Sequence, residues 1–285
     1  MRQDLNETTA SLSLEDFVKI LDSSGFRHVA LHGWGEPLLN AQLFDMIKYA
    51  ESRGVSTELT TNATLLQPNI EKIFASGLSI IAFGIHNKEN LPVVTPQIKE
   101  LITQRNRRKL AKPKTYSDIV IYRGNQNHIA GLVEAIAGLN IDAVVLHRVF
   151  NIHPAGKPHS SLRAPLEFCD RADILDADVG YISIEEEKEL FSKVKRLART
   201  LKIKIDLPPE PSVPCRAVKY SVFVTSKGKV TPCPYLPEFY VGDALSGSIK
   251  EAAHSQRYRN FVKNMKEHPV CSKCPLGSTN GKFYS

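Results

Sequence analysis

Four of the five cysteines fall in the last quarter of the 285-residue chain, at Cys215, Cys233, Cys271 and Cys274. The first two bracket a hairpin pattern: strand-like Tyr220–Thr225, a turn at Ser226–Gly228, then Lys229–Pro232. The second two form a C-x-x-C, Cys271-Ser-Lys-Cys274, followed by Pro275. A hairpin and a C-x-x-C turn can bring four sulfurs to one point, and four thiolates suit zinc or an iron–sulfur cluster. Two C-x-x-C knuckles would have favoured zinc, but seventeen residues separate Cys215 from Cys233. Cys169 has no cysteine near it and reads as a buried small hydrophobe.

Leu31-His-Gly-Trp-Gly-Glu-Pro-Leu-Leu39 is a second candidate, at the end of a strand pattern over His28–His32. Its glycines let the backbone turn sharply near a ligand, and the Glu36 carboxylate could accept bonds from a ligand amine. The plainer alternative is a tight β–α turn with a solvated glutamate. Thr60-Thr61-Asn62 ends the next strand in the same way, and Asn62 suits a turn.

These residues need a frame, and the first two-thirds of the chain supplies one. Ser13 with Asp16 resembles a capping box opening a helix through Leu21. Strands are expected at His28–His32, Ser56–Thr61, Ser79–Ile85, Tyr116–Tyr122, Ala143–Val149 and Lys204–Leu207. Helices are expected over Ala41–Ser52, Gln67–Ser76, Gln126–Ala137 and Glu185–Leu201. Such alternation predicts a parallel sheet with right-handed crossovers, whose ligands bind at the C-terminal ends of the strands. Val149–Ile182 loses the pattern and reads as a long connection, a candidate wall of the substrate opening or a plain surface loop. Leu207-Pro-Pro-Glu-Pro-Ser-Val-Pro214 reads as a joint, dividing the chain into 1–207 and 208–285. The second part, with a Gly242-Asp243 turn and a helix over Ser255–Lys266, is too small for a good core, so a metal centre would supply the missing stability.

Composition narrows the class. A hydrophobic share of 42% and a charged share of 24% are those of an ordinary globular protein. The N-terminus is polar, and no apolar run is long enough to span a bilayer. A cytoplasmic location is expected, where grouped cysteines bind metal rather than form disulfides. The net charge of +7 is mild, and its densest source, Arg105-Asn-Arg-Arg-Lys109 with Lys112 and Lys114, has no interleaved aromatics to stack bases. It reads as a solvated helix end rather than a nucleic-acid surface.

Taken together, the motifs resemble the radical S-adenosylmethionine (radical SAM) superfamily. Gly33-Trp-Gly-Glu-Pro37 is similar to its glycine–glutamate–proline motif, and Glu58-Leu-Thr-Thr-Asn-Ala-Thr-Leu-Leu66 to its third-strand segment. Cys215-x12-Gly228-x4-Cys233, Val241-Gly-Asp243, Tyr258-Arg-Asn-Phe261 and Cys271-x2-Cys274-Pro resemble its auxiliary-cluster domain, in the twitch form of the SPASM family. The resemblance runs from about Ser11 to Leu276. It implies a partial (β/α) TIM-like barrel lacking its first strand, with a small C-terminal hairpin-and-helix iron–sulfur domain.

It further implies that the four cysteines hold an auxiliary 4Fe-4S cluster. Gly33, Gly35, Glu36 and Pro37 would meet the methionine moiety of S-adenosylmethionine, with Asn62 in the same cavity. Fourth-strand residues of the family reach the ribose, and here that position offers Gly84 and His86 where a serine and an acid are common. The implied partners are a small-molecule or peptide substrate and an electron donor such as ferredoxin or flavodoxin. The family's C-x3-C-x2-C loop, which holds the cluster that cleaves the cofactor, does not occur in the sequence. Two explanations stand: the loop and first strand lie upstream of Met1, or a paralogue has lost radical activity. The first is preferred, because losing that strand would leave an unprotected sheet edge. Cofactor and second cluster are therefore expected only in a complete protein, and this chain is expected to be inactive alone. The rival from another class is a non-catalytic protein whose four cysteines hold a structural zinc or iron–sulfur site.

Overall fold

The computed structural model describes residues 11–33, 35–149, 182–209, 215, 217–236, 239–268, 271 and 274. Trp34, Cys169, Pro275, most of the Val149–Ile182 connection and most of the proline-rich joint lie outside the described residues. The described chain divides into two compact units. One holds 27–149 and 182–208; the other holds 11–26 with the described residues from 209 onward.

Helix α1 (Leu14–Ser24) opens on Ser13, whose hydroxyl accepts from the Asp16 amide at 3.0 Å, and closes on Gly25 at φ +72°. In the sheet unit, six parallel strands then alternate with five helices. They run β1 (His28–Ala30), α2 (Leu43–Ser52), β2 (Ser56–Thr61), α3 (Ile70–Ser76), β3 (Ile80–Gly84), α4 (Leu91–Arg107), β4 (Lys114–Ile121), α5 (Ile129–Ala137), β5 (Ala143–Arg148), α6 (Ile184–Leu201) and β6 (Lys204–Asp206). Spatial order follows chain order from β1 to β6, so the sheet is an open, partial barrel. This is the α/β class the alternation predicts, with all six expected strands present.

The alternation within each strand decides which face meets the helices. Leu59, Ile81, Phe83, Ile119, Ile121, Val144 and Leu146 are buried and join Ile47, Ile73, Ile98, Leu132 and Val194 from the helices in one core. Each such side chain contributes roughly 1.5–3 kcal/mol of burial. The opposite face is only partly covered: Ser56, Glu58 and Thr60 on β2 and Asp118 and Val120 on β4 stay half-buried. Helix α4, which the sequence announces only by its basic end, carries Pro92 at its start and Pro96 inside. Pro92 in the first turn removes a donor that has no partner anyway, while Pro96, further in, forgoes one backbone bond that the rest of α4 tolerates.

In the second unit, β7 (Phe223–Val224), β8 (Lys229–Thr231) and β9 (Gly242–Asp243) form an antiparallel sheet, followed by α7 (Ile249–Ala253) and α8 (Gln256–Lys263). The hairpin turn rests on Gly228 at φ +75°. Gly242 is required by packing, since a Cβ there would lie 2.4 Å from Ala252 Cβ of α7. Asp243 accepts from the Leu245 amide at 2.8 Å and from Lys229 Nζ at 2.7 Å, and these bonds hold its carboxyl down to about 2. Val230, Phe239, Val241, Ile249, Tyr258, Phe261 and Met265 form the core, joined by Ile20 of α1.

That last contact separates the structure from a cut at residue 207 alone. The first helix packs on α7 in the cysteine unit, whereas the later boundary falls between Pro208 and Pro209. Helical periodicity announces that α1 buries one face; it does not say against what.

Candidate functional site

The loop after β1 is held against the end of β2 by one carboxylate. Glu36 caps the turn Pro37–Leu39, its Oε1 accepting from the Leu38 amide at 3.1 Å. The same oxygen accepts from Thr61 Oγ1 at 2.7 Å, and Oε2 accepts from the Asn62 amide at 2.9 Å. Asn62 is fixed in turn, its Oδ1 accepting from the Thr64 amide at 2.9 Å. Gly33, Gly35, Glu36, Pro37 and Asn62 therefore gather at the C-terminal edge of β1 and β2. Glu36 is neither free nor merely solvated: it joins two loops and keeps about one of a carboxylate's four acceptor sites.

His86 lies two residues beyond β3. Its Nδ1 accepts from the Val120 amide at 3.2 Å, which leaves the ring proton on Nε2. That nitrogen lies 3.5 Å from where a Cβ on Gly84 would stand. Asn125 fixes the backbone, donating from Nδ2 to His86 O at 2.8 Å. Burial lowers the His86 pKa and His147 adds to that, against Asp118, so the ring is held neutral.

Beside this edge, the half-covered face of the sheet carries a set of titratable groups that sequence reasoning missed. His28 Nε2 lies 3.3 Å from Glu58 Oε2, joining β1 to β2. His147 Nε2 lies 2.9 Å from Asp118 Oδ1, joining β5 to β4. His32 stands just past β1 within electrostatic reach of both pairs. Burial would raise the Asp118 carboxyl, but His147, with His86 and His32 behind it, holds it low. Burial would likewise depress His147, yet Asp118, Asp206 and Glu58 together hold it above the usual histidine value. His32 is lowered, chiefly by the protein that surrounds it, although its own surface stays exposed. Protein surrounds these groups, but the side chains of Asp118 and His147 keep 23% and 37% of their surface. Both therefore remain reachable by solvent on this face of the sheet. The signal was a charged residue at alternate positions of apolar strands, Glu58, Asp118 and His147 all falling on the face away from the helices.

In the other unit, Cys215, Cys233, Cys271 and Cys274 are free thiols, half-buried against one hydrophobic core. The Cys215 amide donates to Met265 Sδ at 3.1 Å, and the Tyr235 amide to Cys233 Sγ at 3.5 Å. The Cys271 amide faces His268 Nδ1 at 3.4 Å, and the Cys274 amide donates to Cys271 O at 3.3 Å. Burial pushes the Cys233 thiol up to about 12, with Cys274 and Cys215 adding to the rise against the Tyr235 amide. Cys271 is raised by burial and by all three other cysteines. Cys233 and Cys271 thus disfavour the thiolate until a cation joins them, as a metal-thiolate site requires. Four cysteines gathered on one core supply the four thiolates that either a tetrahedral zinc or an iron–sulfur cluster takes.

Of the basic run, Arg105 is consumed internally, while Arg107, Arg108, Lys109, Lys112 and Lys114 stay exposed. Arg105 is buried and donates to Asp142 Oδ2 at 2.6 Å and Pro113 O at 3.0 Å. Arg108 forks onto Glu71, and Lys112 pairs with Glu51 at 3.0 Å. Arg105 ties α4 to the segments entering β4 and β5, Lys112 ties the entry to β4 to α2, and Arg108 ties the end of α4 to α3.

Residues 215–275 match the SPASM family model, an iron–sulfur cluster-binding domain, and the match opens on Cys215 and ends just past Cys274. The tungsten-containing aldehyde ferredoxin oxidoreductase cofactor-modifying protein of Pyrococcus furiosus is 22% identical over 169 residues, 54% of this chain and 48% of that protein. The AdoMet-dependent heme synthase of Methanosarcina barkeri is 23% identical over 283 residues, 91% of this chain and 77% of that protein. Among solved structures, Streptococcus suis SuiB bound to its precursor peptide SuiA superposes with a TM-score of 0.70 at 14% identity, covering 100% of this chain and 69% of SuiB. Native anSMEcpe with bound AdoMet gives 0.62 at 12% identity, covering 88% of this chain and 73% of that one. The chain thus spans about half the length of the first relative and about two-thirds of SuiB. The resemblance read from the residues is borne out: a partial barrel with the fold of radical SAM enzymes, followed by a SPASM domain.

Proposed function

We propose that this chain is the S-adenosylmethionine-binding sheet and auxiliary-cluster domain of a radical SAM enzyme. The observation that carries this is the coincidence of the SPASM match with four cysteines gathered on one core. Cys215, Cys233, Cys271 and Cys274 would hold a 4Fe-4S cluster, which when bound supplies one-electron chemistry. The chain's part is to bury the sulfurs and direct amides at them, as Tyr235 does at Cys233, which sets the potential.

At the sheet edge, Gly33, Gly35 and Pro37 would shape the seat of the methionine moiety. Glu36, anchored to Leu38, Thr61 and Asn62, would present its remaining acceptor to the ligand's amino group. Asn62 would border the same seat, and His86 would offer its Nε2–H towards the ribose. The sequence holds no C-x3-C-x2-C, so cofactor binding and cleavage are proposed for the complete protein, to which these residues would contribute the seat. The whole protein would act on a peptide, the class seen with SuiB and anSMEcpe, and draw electrons from a ferredoxin or flavodoxin. No helix among the described residues is long and apolar enough to cross a membrane.

Anaerobic reconstitution tests the cluster: about four irons per chain and a broad absorbance at about 400 nm are expected. Colourless protein holding one zinc would overturn the reading in favour of a structural site. Unchanged iron content in Cys271→Ala would overturn the ligand assignment.

A further inference from the structure

We propose that Asn125 is a positioning residue of the cofactor seat, holding the His86 imidazole with its Nε2–H turned towards the end of β2. This rests on the reading above, in which that edge seats S-adenosylmethionine, and adds the residue that orients its donor to the nucleoside.

The backbone ladder between β3 and β4 stops short of His86. It pairs Gly84 with Asp118, and the Ile85 amide still donates to Asp118 O at 3.1 Å. The same register would set the His86 backbone against Val120. Side chains stand there instead. The Val120 amide donates to His86 Nδ1 at 3.2 Å, and Val120 O accepts from Asn125 Nδ2 at 2.8 Å. The two strands therefore part at this rung, and what joins them is an imidazole and an amide.

Asn125 is 2% exposed, and both protons of its amide are spent. Nδ2 also donates to His86 O at 2.8 Å, and Oδ1 accepts from the Tyr122 amide at 2.9 Å. Two carbonyls converge on one nitrogen, so the side chain that fits carries two protons on that atom and an acceptor beside it. A cap for the turn after β4 would need the Tyr122 amide and Val120 O alone, both within 5 residues of Asn125. The third bond reaches 39 residues back, to the residue that carries the ring.

The ring in turn is aimed. With Nδ1 accepting from Val120, its proton sits on Nε2, and burial keeps the ring neutral against the pull of Asp118. A Cβ at Gly84 would stand 3.5 Å from Nε2 and 3.8 Å from Thr61 O. The ring therefore fills the space that a side chain at 84 would take, on the side of β2. Thr61 is the residue whose hydroxyl donates to Glu36 at 2.7 Å. His86 Nε2 thus lies at the same strand end as the Glu36 tie, and a neutral N–H of fixed direction suits the oxygen of a ribose hydroxyl.

Long-range proton–nitrogen NMR on the full chain at neutral pH reads the His86 tautomer. Calorimetry on the same samples reads the binding of methylthioadenosine and of methionine, the nucleoside and amino-acid ends of the cofactor. The parent should hold His86 as the Nε2–H tautomer alone. Asn125→Asp keeps the size and the bond from Tyr122 but has no proton for either carbonyl. It should mix the tautomers and weaken methylthioadenosine about tenfold, the value of one hydrogen bond, while methionine binding stays within twofold. In a His86→Phe background the same change should cost methylthioadenosine nothing further, because Asn125 acts through the ring. Asn125→Ser, too short to reach both carbonyls, gives the same readouts if Asn125→Asp does not fold. An unmixed tautomer in the Asn125 variant, equal losses for both compounds, or additive losses in the double variant would each overturn the proposal. A parent that binds neither compound faults the cofactor reading, and the tautomer alone then decides the part Asn125 plays.

Discussion

Replacing Glu36 by glutamine keeps the shape of the side chain and removes half of what it does. The carboxylate accepts three bonds, from the Leu38 amide, the Thr61 hydroxyl and the Asn62 amide. A glutamine must point its amide nitrogen at one side. Turned towards Asn62, it sets two donors face to face; turned towards Leu38, it does the same there, while the Thr61 hydroxyl can rotate to accept. Either way one backbone N–H loses its acceptor, at about 1–2 kcal/mol, and the surviving bonds lose their charge assistance. The sum, about 2 kcal/mol, falls on the tie between the two loops and hardly on the core, because Glu36 packs outside it. Amide exchange reads this directly: protection at Leu38 and Asn62 should fall about 30-fold, at 1.4 kcal/mol per decade. The midpoint of thermal unfolding should move little. If Glu36→Gln leaves both amides protected within twofold, the carboxylate is not the tie, and its assignment to the cofactor seat loses its structural basis.

Three further outcomes follow from the same geometry. Asp142→Ala strips Arg105 of its counter-charge and Thr115 of the acceptor for its amide, held at 2.7 Å. Because Asp142 is 39% exposed, a loss near the lower end for broken buried pairs, about 2–3 kcal/mol, is expected by denaturant unfolding. Gly242→Ala drives a methyl to 2.4 Å from Ala252 and should cost about 1–3 kcal/mol by overpacking, read as a lowered unfolding midpoint with secondary structure retained. Asp118→Asn should lower the His147 pKa, followed by NMR titration. In the unaltered chain the raised His147 contributes stability below its unfolded value of about 6.5 that is lost as pH rises through its folded value. The lowered Asp118 contributes above about 3.9 and fades as pH falls through its folded value, so the pair is most stabilising between about pH 4 and 6.5. An Asp118→Asn protein equally stable to the parent across that window would refute the coupling.

What the sequence discloses follows the range of each interaction. Strand identity is local: runs such as Ile80-Ile-Ala-Phe-Gly84 announce themselves, and so do the Ser13 cap and the C-x-x-C. The basic run is mostly the solvated helix end it reads as, but Arg105 is an exception whose partner Asp142 is 37 residues away and so not legible locally. Gly242-Asp243 is legible as a turn, while the reason for its glycine lies in α7. The histidine–carboxylate wall is the hardest case, since His28, Glu58, Asp118 and His147 lie on four strands and become neighbours only through register.

That wall also bears on how the fold manages charge. A parallel sheet covered on both faces would tolerate none of these groups unpaired, because a buried ion without a partner costs several kcal/mol. Here each carboxylate is matched to an imidazole and the matched pairs still touch water. A purely structural role would favour apolar replacements of similar volume, which are often neutral or stabilising in place of a buried pair. Replacing Asp118 and His147 together by Leu and Phe should therefore raise the midpoint of thermal unfolding. A double variant that unfolded earlier than the parent would show the pair to be structural.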